Sequence, residues 1–326
     1  MPRKHVDHLE RYIRPKEEIV ELTLSDGQIS KRIVRDGMAM HNAVPALYSV
    51  DERLRHMDTA SVSAAIFTLG SYTSWMVDLR ICQEVNDEMA KVVAEKPGRF
   101  LGAAHVPLTK AGAKELERCA VDYKFVALST VTNVQGIFPD HEAYFPLYEV
   151  AEEYNLPVIV HAPDCPVDEH SLRDYDLSRR IGREVEHTIA VARVFLGPVT
   201  ERFPSLKFIH CHLGGTFWAS TSRYGKGPSV IQARTVTTEE TAREEQEYQR
   251  RIKNMYFNTT FWEPPVIKFA IESLGDDHIV FGSDYPITQS LMSDIGGAID
   301  QMGLSDETLD KIAFRNHERI YGRSLI

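Results

Sequence analysis

Seven short runs of strand-forming residues alternate with longer helical stretches from Ser49 to the end of the chain. They lie at 64–70, 100–106, 125–130, 157–161, 207–212, 255–260 and 278–283, without a sequence repeat. Successive runs are spaced by roughly 25 to 55 residues, and such alternation implies a parallel sheet joined by helices. An open doubly wound sheet usually carries a glycine-rich turn for phosphates. Neither GxGxxG nor GxxxxGK[ST] occurs here. Seven strands plus one N-terminal element that the sequence does not resolve fit a (β/α)8 barrel better. The expectation is an α/β fold, a TIM-type barrel forming one domain over 1–326, with its first strand missing or not legible.

Residues 1–50 read as an irregular region with a small hairpin-like insertion. His5 to Arg14 suggests a short helix stopped by Pro15. Ser25-Asp26-Gly27 reads as a turn and Ile29 to Val34 as a strand. Further along, Asp51 is the expected N-cap of the first barrel helix, and Glu184 to Phe203 reads as one helix.

Hydrophobic residues make up 43% of the 326 and the net charge is −10, which argues against a nucleic-acid or anionic-membrane partner. Cys82, Cys119, Cys165 and Cys211 show no CxxC spacing and read as reduced thiols of a cytoplasmic protein. The polar N-terminus does not resemble a secretory signal. No apolar run approaches the roughly 20 residues of a membrane helix.

In a barrel of this kind chemistry gathers at the C-terminal ends of the strands. Three runs end there on suggestive groups. Val158-Ile159-Val160 delivers His161, with Asp164 three residues on, and imidazole is a common ligand for zinc and related ions. Phe208-Ile209 leads to His210 and His212, followed by Gly214-Gly215. Two residues apart on a strand, these histidines face the same way: they are a ligand pair, or His212 reaches the pocket with His210 behind it, or both are core groups. Ile279-Val280-Phe281-Gly282-Ser283 delivers Asp284, whose carboxylate costs several kcal/mol if buried unpaired. A metal or a histidine is the economical partner; a helix N-cap is the plainer alternative. Arg32, Arg35 and Arg223 suit a carboxylate substrate if the fold brings them inward, and otherwise are surface charges. Trp75, Phe217 and Trp218 are candidates for an aromatic wall or for core packing.

The segments VIVHAPD, FPSLKFIHCHLGGTF and IVFGSDYP together resemble the amidohydrolase-related family that includes aminocarboxymuconate-semialdehyde and resorcylate-type decarboxylases. The resemblance runs from about residue 50 to the end. It implies a distorted (β/α)8 barrel with one divalent metal, usually zinc and sometimes manganese, and frequent homodimers. It assigns His161 and Asp284 as metal ligands, His212 to proton transfer, and Arg32 and Arg223 to the substrate. Relatives open with a strand bearing His-x-His, Glu-x-His or His-x-x-Glu, which this chain lacks. His5-Val6-Asp7-His8 instead resembles the stretch that follows that strand, so the sequence begins late or half the metal site has been lost.

The resemblance implies a metal-dependent, non-oxidative decarboxylase of an aromatic or unsaturated carboxylic acid. In that reading His212 protonates the carbon that loses CO2 and arginines hold the carboxylate. The alternatives are a hydrolase or hydratase with Asp284 as proton acceptor, and a degenerate member that binds without turnover.

Overall fold

The computed structural model describes residues 17–23, 27, 29–35, 38–43, 49–68, 77–162, 171–172, 174–226, 237–260, 263–286, 301–322 and 324. His5, His8, Trp75, Asp164 and Cys165 lie outside these residues.

The barrel strands are β4 (Ala65–Phe67), β5 (Phe100–Ala104), β6 (Ala127–Val131), β7 (Val158–His161), β8 (Phe208–His210), β9 (Met255–Asn258) and β10 (Ile279–Val280). They form one seven-stranded sheet in the order β10-β9-β8-β7-β6-β5-β4, every neighbour parallel. Spatial order therefore follows chain order with no reversal. A doubly wound sheet reverses at a switch point, so this is the curled sheet of a distorted (β/α)8 barrel. Among the described residues no strand links β10 back to β4.

Alternation along the strands sorts the core into two layers. Ala103, Ile159, Ile209, Tyr256 and Val280 cluster on the inner face. Val158, Val160, Phe208, Met255, Phe257 and Ile279 face the helices, where Leu116, Leu147, Tyr148, Val194 and Phe195 cover them.

Before the barrel stand β1 (Glu17–Thr23), β2 (Ile29–Arg35) and β3 (Met38–Ala43), an antiparallel three-stranded sheet in that order. The sequence reading held only β2. Its partners β1 (EEIVELT) and β3 (MAMHNA) do not alternate polar and apolar residues regularly, so neither shows a strand pattern by itself.

Helix α1 (Val50–Thr59) is capped by Ser49, whose hydroxyl accepts from the Glu52 amide at 3.2 Å. The expected cap, Asp51, instead occupies the first turn, where a negative charge suits the helix dipole. Helices α2 (Leu79–Glu95), α3 (Lys110–Asp122) and α4 (Phe145–Glu153) follow their strands. Helix α5 (Arg183–Leu196) ends where Gly197 turns extended before Pro198, which lacks an amide hydrogen. The single helix expected over 184–203 is thus two, the second being Val199–Arg202. Helices α6 (Thr238–Ile252) and α7 (Pro264–Leu274) flank β9.

Helices α2 and α3 are joined by the buried carboxylate of Glu115. It accepts from Asn86 at 2.9 Å and from Arg118 at 2.7 Å. Burial pushes its pKa up, but the hydrogen bonds from Arg118 and Asn86 outweigh this and hold it below the ordinary glutamate value. A carboxyl with its folded pKa below its unfolded one stabilises the fold above the unfolded value, and that stabilisation is lost as pH falls through the folded value. Thermal melts should therefore show the wild type losing stability steeply below about pH 4. Glu115→Gln should flatten that acid limb; parallel limbs would exclude the carboxylate as its source.

Candidate active site

Strand register decides which histidine reaches the interior. His161 ends β7 two residues after Ile159, on the inner face, and pairs with Val131. His210 pairs with Val160 and Phe257, on the helix-facing side. There its ring lies between Phe208 and Phe257, with centroids at 5.9 and 5.7 Å. Burial lowers its pKa to about 3, so it is a neutral core group. β8 stops at His210, and the backbone then turns: His212 has φ +53° and Leu213 +51°. The same-face expectation for the two histidines fails because the second is no longer on a strand.

That turn carries His212 toward His161 and Asp284. Donor atoms of these three residues lie within 4.8 Å of one another. The His161 and His212 ring centroids are 5.2 Å apart. Asp284 also has a positive φ, +53°, and its carboxylate oxygen is 3.2 Å from His161 Nε2. It caps no described helix; its partner is the histidine. Three left-handed non-glycine residues, His212, Leu213 and Asp284, mark backbone held by its surroundings. Asn258, at the end of β9, is one restraint: its Oδ1 accepts from the His212 amide at 3.1 Å and the Thr260 amide at 3.2 Å.

Proton placement makes the trio a donor set for a cation. His161 Nδ1 lies 3.0 Å from the Ala162 carbonyl, which can only accept, so Nδ1 carries the hydrogen. His161 Nε2 then directs a lone pair at the Asp284 carboxylate. An ionised carboxylate facing a bare imidazole nitrogen calls for a cation between them. Likewise His212 Nδ1 donates to Glu184 Oε1 at 2.9 Å, which leaves Nε2 for the site. The His161 imidazole and the Asp284 carboxylate suit a divalent ion of the zinc or manganese class, with His212 Nε2 beside them and open positions for substrate.

Helix α5 closes the site from outside. Glu184 and His187 lie one turn apart and face His212; the His187 and His212 rings stack at 4.9 Å with 22° between planes. Glu186, 2% exposed, ties the helix to the end of β6 by accepting from Asn133 at 2.9 Å and Thr132 at 3.2 Å. The sequence reading missed Glu184 and His187, because RRIGREVEH looks like a solvated charged stretch.

The Gly pair expected at a tight turn or close approach serves both. Gly215 has φ +68°, and a Cβ there would sit 2.1 Å from the Glu184 carbonyl and 2.4 Å from Thr188 Oγ1. Gly215→Ala should cost about 2–4 kcal/mol through backbone strain and the displacement of α5. Urea unfolding measures it; an unchanged midpoint would mean that the contact is dispensable.

The other sequence candidates are not members of the trio. Trp218 is buried in the core, its indole N–H donating to the Gly215 carbonyl at 2.8 Å. Phe217 is fully buried. Arg32 sits on β2 of the small sheet, and Arg223 is exposed at the end of the 3-10 segment Phe217–Tyr224.

The family model described as Amidohydrolase (Amidohydro_2) matches residues 40–323. The chain belongs to the amidohydrolase family. Similar amidohydrolase sequences include a 2-amino-3-carboxymuconate-6-semialdehyde decarboxylase of Dictyostelium discoideum, 25% identical and aligned over 78% of this chain and 71% of that one. A 2-keto-4-carboxy-3-hexenedioate hydratase of a Sphingobium strain is 24% identical, over 74% and 71%. Among solved structures, 5-carboxyvanillate decarboxylase of Sphingomonas paucimobilis superposes with a TM-score of 0.71 at 25% identity, covering 86% of this chain and 85% of that one.

Proposed function

We propose that this amidohydrolase is a metal-dependent, non-oxidative decarboxylase of an aromatic or unsaturated carboxylic acid, a carbon–carbon lyase. The observation that carries the proposal is the convergence of His161, His212 and Asp284 within 4.8 Å at the C-terminal ends of the strands. The decarboxylases among the similar proteins support the reaction type.

His161 and Asp284 hold the divalent ion, zinc by preference for a site with two imidazoles in reach. When bound, the ion acts as a Lewis acid toward an oxygen of the substrate. His212, fixed by its Nδ1 bond, takes up a proton from solvent at Nε2 and delivers it to the carbon that bears the carboxylate, returning to the neutral Nδ1–H form. The electrons of the breaking C–C bond return to that carbon framework, and CO2 leaves. Arg32 and Arg223 are assigned to the substrate carboxylate and Trp218 to the wall of the pocket.

The working state is a homodimer in the cytoplasm. Ile181, Val185 and Ile189 expose an apolar stripe at helical spacing, 49%, 44% and 37% accessible, which suits burial against a second copy. The three described cysteines are buried thiols outside any disulfide among the described residues, in keeping with a reducing compartment. Among the described residues no helix is long and apolar enough to cross a membrane.

The hydratase relative favours a second reading, in which water adds to an unsaturated acid and Asp284 accepts its proton. A panel of hydroxybenzoic and unsaturated dicarboxylic acids, 13C-labelled in the carboxyl groups, separates the two. Decarboxylation releases labelled CO2 from zinc- or manganese-loaded protein and stops with a chelator. A hydrated acid that keeps every labelled carbon would sink the first reading.

A further inference from the structure

His212 can transfer a proton only if one ring nitrogen stays aimed at the substrate. The element that aims it is not the strand that carries it. β8 ends at His210, and His212 sits on a turn with φ +53°. We propose that α5 positions His212, with Glu184 fixing its Nδ1–H and His187 packing against its ring face. The proposal rests on the decarboxylase reading for its kinetic consequence, though not for its geometry.

Four observations support it. The Glu184–His212 bond is 2.9 Å, and the His212 side chain is 2% exposed. The other Glu184 oxygen is buried, with no hydrogen-bond partner among the described residues. Its carboxylate therefore depends on His212 as much as His212 depends on it. A ring flip would set a C–H against that carboxylate, forfeit a charge-assisted bond and strand a buried charge. His187 is fully buried, and neither of its ring nitrogens has a hydrogen-bond partner among the described residues. What His187 presents to the described residues of the site is its flat face, stacked at 4.9 Å on the His212 ring.

The helix itself is anchored where this matters. Glu186 bonds to Asn133 and Thr132 on the β6 side. Thr188 Oγ1 accepts from the Thr216 amide at 2.9 Å on the far side of the turn. Gly214 and Gly215 let the turn approach α5: a Cβ on Gly214 would lie 2.8 Å from Val191, and one on Gly215 would strike the Glu184 carbonyl. Glu184, His187 and Val191 thus form one helix face laid on the turn that bears His212. Glu184 and His187 are positioning residues, since they act through His212.

Long-range 1H–15N spectra of zinc-loaded protein labelled at histidine test the geometry directly. The His212 signals, identified by their absence in His212→Gln, should show a single Nδ1–H tautomer with a ring proton protected from solvent exchange. Glu184→Ala should abolish that protected proton. Glu184→Gln should keep it, because an amide oxygen still accepts, and so also guards against an alanine variant that fails to fold. Kinetically, Glu184→Ala should lower kcat about 10–100-fold with KM within about twofold and metal content unchanged, and Glu184→Gln should recover part of the loss. A protected proton that survives Glu184→Ala would overturn the proposal. So would metal loss in step with activity, which would make Glu184 a support for the ion. If the wild type releases CO2 from no acid, the decarboxylase reading fails while the spectra still decide the positioning.

Discussion

Replacing His212 with glutamine is expected to lower kcat by about 10²–10⁴-fold while the divalent ion stays bound. Its two ring nitrogens have different surroundings. Nδ1 donates to Glu184, and Nε2 is left toward His161 and Asp284. A group held in that way is built to carry a proton between solvent-excluded partners. Glutamine retains a polar head of similar reach but cannot transfer a proton near neutral pH. Metal analysis beside steady-state kinetics checks the result. Activity retained in the variant would remove His212 from the chemistry. Metal lost together with activity would make it a ligand in place of a proton carrier.

Asp284→Asn is expected to remove the metal and at least a hundredfold of the activity while leaving the fold intact. The substitution is informative because asparagine tolerates the left-handed conformation that Asp284 adopts at φ +53°. The backbone therefore has no reason to move. What changes is the charge and the donor. In the wild type an ionised carboxylate faces His161 Nε2 at 3.2 Å. In the variant an amide N–H can donate to that nitrogen, so the site closes on itself with no cation. Circular dichroism and a thermal melt should match the wild type, with the melt of the metal-free variant unchanged or higher. Full metal occupancy in the variant would contradict the assignment of Asp284 as a ligand.

Much of the site was legible because strand ends leave a mark in sequence. His161 and Asp284 each interrupt an apolar run that would otherwise be core, and burying such a group needs a partner. Order and spacing of the strand runs likewise pointed to the barrel, and the unreversed strand order bears this out. His210 was ambiguous because alternation predicts a face only while the strand continues, and β8 ends at that residue. Glu184 and His187 were hidden for a different reason. They lie in a helix start rich in charged residues, and only packing shows which charge turns inward. Asn258 was missed similarly: a single amide at a strand end does not reveal that it braces the backbone of His212. The small sheet was half visible, since β1 and β3 gain their regularity from pairing with β2.

The most direct test is turnover in deuterium oxide with a carboxyl-13C-labelled acid and metal-loaded protein, with dioxygen monitored. The expected result is one labelled CO2 per product, one deuteron on the carbon that carried the carboxylate, no dioxygen consumed, and no reaction after chelation. A product that keeps its labelled carboxyl and gains the elements of water, or CO2 release that consumes dioxygen, would contradict metal-dependent non-oxidative decarboxylation.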